Sequence, residues 1–201
     1  MDKALVVIPT FNERENIGTL LDRIFALESP PDVLVVDDNS PDGTADVVRE
    51  KQEQYGNARL TLLVRREGKA GRGSACLHGF RMAREQGYTA AIEMDSDLSH
   101  DPADIPRLLA GLKDADVVIG SKYVPGGRVE GWEWYRKYLS RGANIYAGLI
   151  LKMPIHDYTN GFRCYGPRAL AILPELTIDG KEDEPAPDQL GDPAHQGRVV
   201  R

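Results

Sequence analysis

Short continuous apolar runs alternate along this chain with longer stretches in which apolar residues recur every three to four positions. Runs of the first kind read as strands buried on both faces, and the longer stretches as amphipathic helices. Residues 4–8 form the first run, which Pro9 ends. Asn12, with Glu15 three residues on, has capping-box spacing for a helix whose apolar stripe is Ile17, Leu20, Leu21, Ile24 and Phe25. Pro30-Pro31 breaks the chain before a second strand, 33–36, which runs into Asp37-Asp38. Turn residues at 39–44 open a second helix with Ala45, Val47 and Val48, which fades near Tyr55-Gly56. Further strands are predicted at 60–64, 89–94 and 116–120. Between them lie helices carrying Ala75, Leu77, Phe80 and Ala83, and then Ile105, Leu108 and Leu109. Strands and helices alternating at this spacing predict an α/β fold with a doubly wound, mostly parallel sheet.

The character changes after Ser121. Residues 124–127 (Val-Pro-Gly-Gly) read as an exposed loop, and 132–152 as a long helix rich in Trp, Tyr, Leu and Ile, interrupted by Arg136, Lys137 and Arg141. Two readings of that helix stand side by side. Aromatic residues mixed with cations suit a membrane interface, and the same apolar surface suits packing on a sheet edge. Residues 177–201 hold three prolines, many acids and few aliphatics, too little apolar surface to offset ordering entropy, so a disordered tail is expected after a single domain over 1–176.

At 201 residues, 41% hydrophobic and 28% charged, the composition is that of a soluble globular chain able to bury a sizeable core. A net charge of −6 argues against a nucleic-acid binder. Cys76 and Cys164 have no metal-ligand spacing and fit reduced thiols in a cytoplasmic protein. The N-terminus lacks the h-region of a signal peptide, and no apolar run reaches the ~20 residues of a membrane span. The expected location is the cytoplasm or the surface of a membrane.

The chemistry gathers where the strands end. The fourth predicted strand delivers Asp95-Ser96-Asp97-Leu98-Ser99-His100, and open α/β sheets place ligands at the carboxyl ends of their strands. Asp95 and Asp97 either converge on a hard cation such as Mg²⁺ or Mn²⁺, completed by substrate phosphates, or merely turn and cap the next helix. Neighbouring strand ends favour the first reading. They supply residues 9–13 (Pro-Thr-Phe-Asn-Glu), Asp37-Asp38 and 121–123 (Ser-Lys-Tyr) to the same rim. An acidic rim repels a phosphate unless a divalent cation bridges the two, which a metal-bound nucleotide diphosphate achieves. Asp38 or Glu13 is then left to bond base or ribose. Gly71-Arg72-Gly73 is neither a dinucleotide fingerprint nor a P-loop, and reads first as a strand-to-helix turn, with Lys69 a candidate to face the nucleotide. The four histidines form no ligand cluster, and no Ser-His-Asp arrangement is visible.

Taken together, residues 9–13, 36–44, 95–100, 120–123, 140–144 and 157–163 resemble the dolichyl- or polyprenyl-phosphate mannosyltransferases, inverting glycosyltransferases of family 2 with the A-type, Rossmann-like nucleotide-sugar fold. The resemblance runs over residues 4–172. It implies that Pro9, Phe11, Glu13, Val36 and Asp38 form the guanosine pocket. Asp95, Ser96, Asp97 and Ser99 then belong to the metal and diphosphate site, and Lys122, Arg136 and Ser140 to the site of the acceptor phosphate. A lipid phosphate monoester carries nearly two negative charges and needs such cations and hydroxyls. The implied reaction passes mannose from GDP-mannose to dolichyl or another polyprenyl phosphate, with a divalent cation stabilising the departing GDP. Asp97, Lys122 and Arg136 are the implied catalytic residues. The implied location is peripheral, at the cytoplasmic face of a membrane, with any anchoring partner unidentified.

Two features depart from the family's pattern. Lys122 stands where Arg is usual, and lacks its bidentate fork. The family's later Arg and Lys, which close over the nucleotide phosphates, have no match in residues 177–201. That departure leads to an alternative expectation: a truncated, catalytically impaired homologue serving as a nucleotide-sugar or lipid-phosphate binding module, with part of the sheet edge uncovered. A second alternative keeps the chemistry and changes the donor to UDP-glucose.

Overall fold

A computed structural model of the chain describes residues 3–65, 71–121 and 160–175. The predicted helix at 132–152, the tail at 177–201, Lys69, and the acceptor-site residues Lys122, Arg136 and Ser140 lie outside the described residues.

The first half of the chain follows the apolar pattern. Strand β1 (Ala4–Thr10) is followed by helix α1 (Arg14–Phe25), β2 (Asp32–Asp37), α2 (Thr44–Tyr55) and β3 (Leu60–Val64). Helix α3 (Arg72–Glu85) leads to β4 (Ala90–Glu93), a single 3-10 turn (Pro102–Asp104), α4 (Ile105–Gly111) and β5 (Val117–Ile119). After the gap come β6 (Arg163–Tyr165), α5 (Pro167–Ile172) and a second 3-10 turn (Leu173–Glu175). The strands form a six-stranded sheet in the order β3-β2-β1-β4-β6-β5. Strands β1 to β4 pair in parallel, and β6 runs antiparallel between β4 and β5.

Alternation along the strands divides the core in two. Val6 and Ile8 of β1, Val33 and Val35 of β2, and Ile92 of β4 face one side, where Ile17, Leu20, Leu21 and Ile24 of α1, Val48 of α2 and Leu108 of α4 cover them. Leu5, Val7, Leu34, Val36 and Ala91 face the other side, against Ala75, Leu77, Phe80 and Ala83 of α3 and Leu170 of α5. A two-residue period in the strands and a 3.6-residue period in the helices make both layers possible. The chain winds from β1 outward to β3, then returns through α3 to place β4 on the other side of β1. The helices change face at that reversal, as right-handed crossovers require. The reversal creates a crevice at the carboxyl ends of β1 and β4.

Three local expectations change. The first strand continues through Pro9 to Thr10 instead of ending at Pro9. Val7 O accepts from Met94 N–H on the β4 side, so residue 9 faces that side too, beyond the last β1–β4 register pair, Val7 with Glu93. Pro9 therefore has no ladder bond to lose. The capping box at Asn12 does not form: α1 starts after Glu13, without a side-chain cap from its own segment. Its first N–H groups are met instead by the loop after β2, as described below. Strand β6 has no counterpart in the apolar pattern of the sequence. Three residues carry too little periodicity, and its pairing partners lie far away in sequence.

Candidate active site

Three loops leave the sheet at the carboxyl ends of β1, β2 and β4, and each contains a non-glycine residue in the left-handed region: Asn12 (φ 61°), Asn39 (φ 55°) and Leu98 (φ 61°). Asn adopts this conformation readily, whereas for Leu it costs on the order of 1 kcal/mol. Leu98 is held by its packing on the core and by Ser99 N–H, which donates to Asp97 Oδ1 at 3.0 Å.

The first two loops are bonded into one unit. Asn12 N–H donates to Ser40 Oγ (3.0 Å), Glu13 N–H to Thr44 Oγ1 (2.9 Å), and Arg14 N–H to Asp42 Oδ2 (3.0 Å). Asp42 also accepts from Thr44 N–H and hydroxyl at 2.9 and 2.6 Å. Burial works against its ionised form, but these bonds outweigh it and keep the carboxyl below its ordinary pKa. Asp37, fully buried, accepts from Thr10 Oγ1 (2.9 Å), Ser40 N–H (2.9 Å) and Ser40 Oγ (2.6 Å). Asp37 is thus a structural bracket between β1 and the β2 loop.

Asp38, next to it, is 6% exposed and paired with Arg65, whose Nε donates to Oδ1 at 2.6 Å. Arg65 in turn donates to Ser74 Oγ (2.7 Å) and Gly71 O (3.2 Å), tying the end of β3 to the start of α3. Glu13 is half-buried and accepts from Asn16 Nδ2 at 3.1 Å. Phe11 is exposed at the same rim, whereas the side chain of Val36 belongs to the apolar layer under α3. Of the predicted nucleoside pocket, Pro9, Phe11, Glu13 and Asp38 therefore lie at one edge, and Val36 borders it from the core.

The loop after β4 holds the paired acids. Asp95 is half-buried, Ser96 buried, and Asp97 and Ser99 exposed. Partial burial disfavours the Asp97 carboxylate, yet the Ser99 hydroxyl and N–H more than compensate and lower its pKa. His100 organises this loop from beneath. Asp95 N–H donates to His100 Nδ1 at 3.1 Å, so the ring proton sits on Nε2, which lies 3.1 Å from Asn160 Oδ1. Burial lowers the pKa of His100, in keeping with a neutral ring, and the ring stacks on Phe162 at 4.9 Å between centroids. Asn160 also accepts from Phe162 N–H (3.0 Å) and donates to Gly120 O. One imidazole thus connects the acid loop to the ends of β5 and β6. The sequence offered His100 only as an isolated histidine, and its partner Asn160 is 60 positions away.

Two further residues meet the acids. Glu93 precedes Asp95 by two, the same-face spacing of a strand, and that spacing was the signal for it in the sequence. Its carboxylate accepts from Tyr165 OH (3.1 Å) and lies 3.4 Å from Cys76 Sγ. Burial and the Glu93 charge push the Cys76 thiol and the Tyr165 phenol strongly upward, so both remain protonated. Arg72, the first residue of α3, sets Nη2 at 2.8 Å from Asp95 Oδ1 and 3.0 Å from Glu93 Oε1. No local pattern announces that contact, which joins a helix start to the end of a strand formed later in the chain.

Among the described residues no three His, Cys, Asp or Glu side chains close into a metal cage. Asp95, Asp97 and Ser99 instead present oxygen atoms on one open loop, with the Asp97 carboxylate exposed. That suits a hard cation whose remaining ligands come from phosphates and water. None of the described helices is long and apolar enough to cross a membrane.

Comparisons with known proteins agree on the class. Residues 5–171 match the family model described as glycosyl transferase family 2. A polyprenol monophosphomannose synthase of Mycolicibacterium smegmatis is 41% identical over 180 residues, 89% of this chain and 67% of that protein. An undecaprenyl-phosphate mannosyltransferase of Micrococcus luteus is 38% identical, over 89% of this chain and 72% of its own length. For a dolichol-phosphate mannosyltransferase of Pyrococcus furiosus the identity is 37%, and the matched part spans 53% of that protein. Among solved structures, a mannosyltransferase of Pyrobaculum calidifontis in complex with GDP-Man and Mn²⁺ superposes with a TM-score of 0.53 at 27% identity. The match covers 60% of this chain and 35% of that one. Glucosyl-3-phosphoglycerate synthase of Mycobacterium tuberculosis shares the fold, with a TM-score of 0.61 at 17% identity over 83% of this chain and 57% of that one.

Proposed function

The chain belongs to glycosyl transferase family 2 and has the A-type fold, and from that premise we propose that it transfers mannose from GDP-mannose to a polyprenyl phosphate such as dolichyl phosphate, with inversion at the anomeric carbon. The observation that carries the reading is the acid loop 95–99 at the carboxyl end of β4, beside the loop of Phe11 and Glu13 at the end of β1. A nucleotide sugar spanning these neighbouring loops has its base near Phe11, Glu13 and Asp38 and its diphosphate at the acids. The relatives named above support mannose as the sugar and a polyprenyl phosphate as the acceptor.

Each group then has a task. The bonded loops after β1 and β2 hold the nucleoside edge rigid, which lowers the ordering cost of donor binding. Asp95, Asp97 and Ser99 would hold Mg²⁺ or Mn²⁺. When bound, that cation supplies positive charge to the departing nucleotide diphosphate. His100 keeps the Asp95 backbone in place through its neutral Nδ1 acceptor. Lys122, Arg136 and Ser140 receive the acceptor phosphate, whose oxygen is already ionised near neutral pH and attacks without a general base. Attack opposite the leaving diphosphate inverts the anomeric configuration. A lipid acceptor places the enzyme peripherally at a membrane surface, on the cytoplasmic side where nucleotide sugars are at hand.

The test is transfer of radiolabelled mannose from GDP-mannose into the lipid phase, with dolichyl phosphate and Mn²⁺ or Mg²⁺, with and without chelator. Chelator-sensitive label in the lipid supports the proposal. Transfer from UDP-glucose in preference to GDP-mannose overturns the donor. Metal-dependent binding of GDP-mannose with no transfer assigns the chain to a binding module instead.

A further inference from the structure

The acid rim is matched almost group by group. Asp37 is met by hydroxyls and an N–H, Asp38 by Arg65, and Asp97 by the Ser99 N–H. Asp95, one of the proposed metal ligands, is met by a cation. The Arg72 guanidinium lies 2.8 Å from Asp95 Oδ1 while the same nitrogen is 3.0 Å from Glu93 Oε1. His100 Nε2 stands farther off, 3.8 Å from Asp95 Oδ2, and Nδ1 of the ring is taken up as acceptor by the Asp95 N–H.

A second feature shows that the backbone makes room for this guanidinium. Arg72 Nη2 donates to Gly161 O at 3.4 Å, and a Cβ added at Gly161 would fall 1.9 Å from that same nitrogen. A glycine at the entry to β6 therefore leaves the space that the Arg72 head fills. Glu93, its second partner, is fixed by the Tyr165 hydroxyl and lies against Cys76, and its side chain is 13% exposed against 44% for Arg72. One end of the contact is mostly buried and anchored, and the other is partly exposed.

Resting on the reading of Asp95 and Asp97 as the cation site, we propose that Arg72 is the resident counter-ion of that site, and that a divalent cation binds by displacing its guanidinium from Asp95. Without the displacement, two positive charges would compete for one carboxylate a few ångströms apart. Glu93 retains the released guanidinium beside the diphosphate position, where its charge favours the bound donor. Arg72 thus weakens binding of the bare metal and makes tight metal binding depend on the arrival of a phosphate-bearing donor. The side chain is partly exposed, so solvent moderates the competition.

The experiment is titration with Mn²⁺ alone, free Mn²⁺ being read by electron paramagnetic resonance at low ionic strength, with folding of each variant checked by circular dichroism. Arg72→Leu is expected to bind Mn²⁺ about tenfold more tightly than the parent chain, a difference that narrows as salt is raised. Gly161→Ala, which keeps Arg72 but crowds its head out of place, is expected to shift affinity the same way. Adding GDP-mannose should tighten Mn²⁺ binding in the parent by a larger factor than in Arg72→Leu. Equal or weaker Mn²⁺ binding in folded Arg72→Leu, with binding still abolished by Asp97→Ala, overturns the role of Arg72 and leaves the metal site standing. Binding that Asp97→Ala does not alter overturns the metal-site reading and this inference with it.

Discussion

At the scale of single residues, the contrast between His100 and Asp97 separates scaffold from chemistry. His100 is buried and bonded on both ring nitrogens, so His100→Ala strands the Asp95 N–H and removes the ring stacked on Phe162. The expected cost is about 2–4 kcal/mol in denaturant unfolding, with a drop in transfer that follows the disordered acid loop. Asp97 is exposed, and the Ser99 N–H and hydroxyl that meet it belong to its own turn. Asp97→Ala should leave the unfolding midpoint nearly unchanged and reduce transfer to background. Unchanged turnover in that variant would remove Asp97 from the proposed cation site. The paired acids were legible in the sequence because they are adjacent. The supports of those acids were not, since Arg72 and Asn160 reach them only through the fold.

At the scale of elements, packing between helices and sheet leaves little slack. Gly79 of α3 lies so close to β1 that an added Cβ would stand 2.4 Å from Val7 Cγ1. Both elements are central, so Gly79→Ala should destabilise by about 1–3 kcal/mol through overpacking, despite the better helix propensity of Ala. Helices α1 and α2 are joined by Asp22, which accepts from Lys51 Nζ (2.6 and 2.7 Å) and Tyr55 OH (2.7 Å). Desolvation raises the Asp22 pKa, but the bonds from Lys51 and Tyr55 prevail and leave it lowered. Burial, together with the bond to Asp22, raises the Tyr55 phenol to about 12. The signs follow from linkage. Asp22 adds stability that is complete above its unfolded pKa of 3.8 and is lost as pH falls through the lower folded value. Tyr55 adds stability that is complete below 10 and is lost as pH rises toward 12. Asp22→Asn should flatten both limbs of the stability–pH curve measured by thermal unfolding. An unchanged acid limb would show that the helix pair does not titrate as a unit.

At the scale of the whole molecule, the sheet order places the proposed nucleoside edge and acid loop on adjacent strands at the reversal of winding, so ligand binding should stabilise the fold as a whole. With GDP-mannose and Mn²⁺ together at about one hundred times their dissociation constant, the expected gain is about 2.7 kcal/mol, or roughly 5–10 °C in the melting temperature. GDP-mannose with chelator, or UDP-glucose with Mn²⁺, should give a clearly smaller shift, and equal shifts would count against the donor assignment. The parallel framework that makes this site was readable from sequence because β1 to β4 and their helices are strongly periodic, and β1, β2 and β3 each neighbour the next through a short crossover. The sequence by itself determined the strand–helix alternation, the acids at the strand ends and the rim they share, since those depend on local period and spacing. Only the tertiary structure decided that α1 is capped by the loop after β2, that β6 enters antiparallel between β4 and β5, and that Arg72, Glu93, His100 and Asn160 surround the acid loop. Those contacts join residues far apart in sequence, and their energy exists only once the sheet has brought the strand ends together.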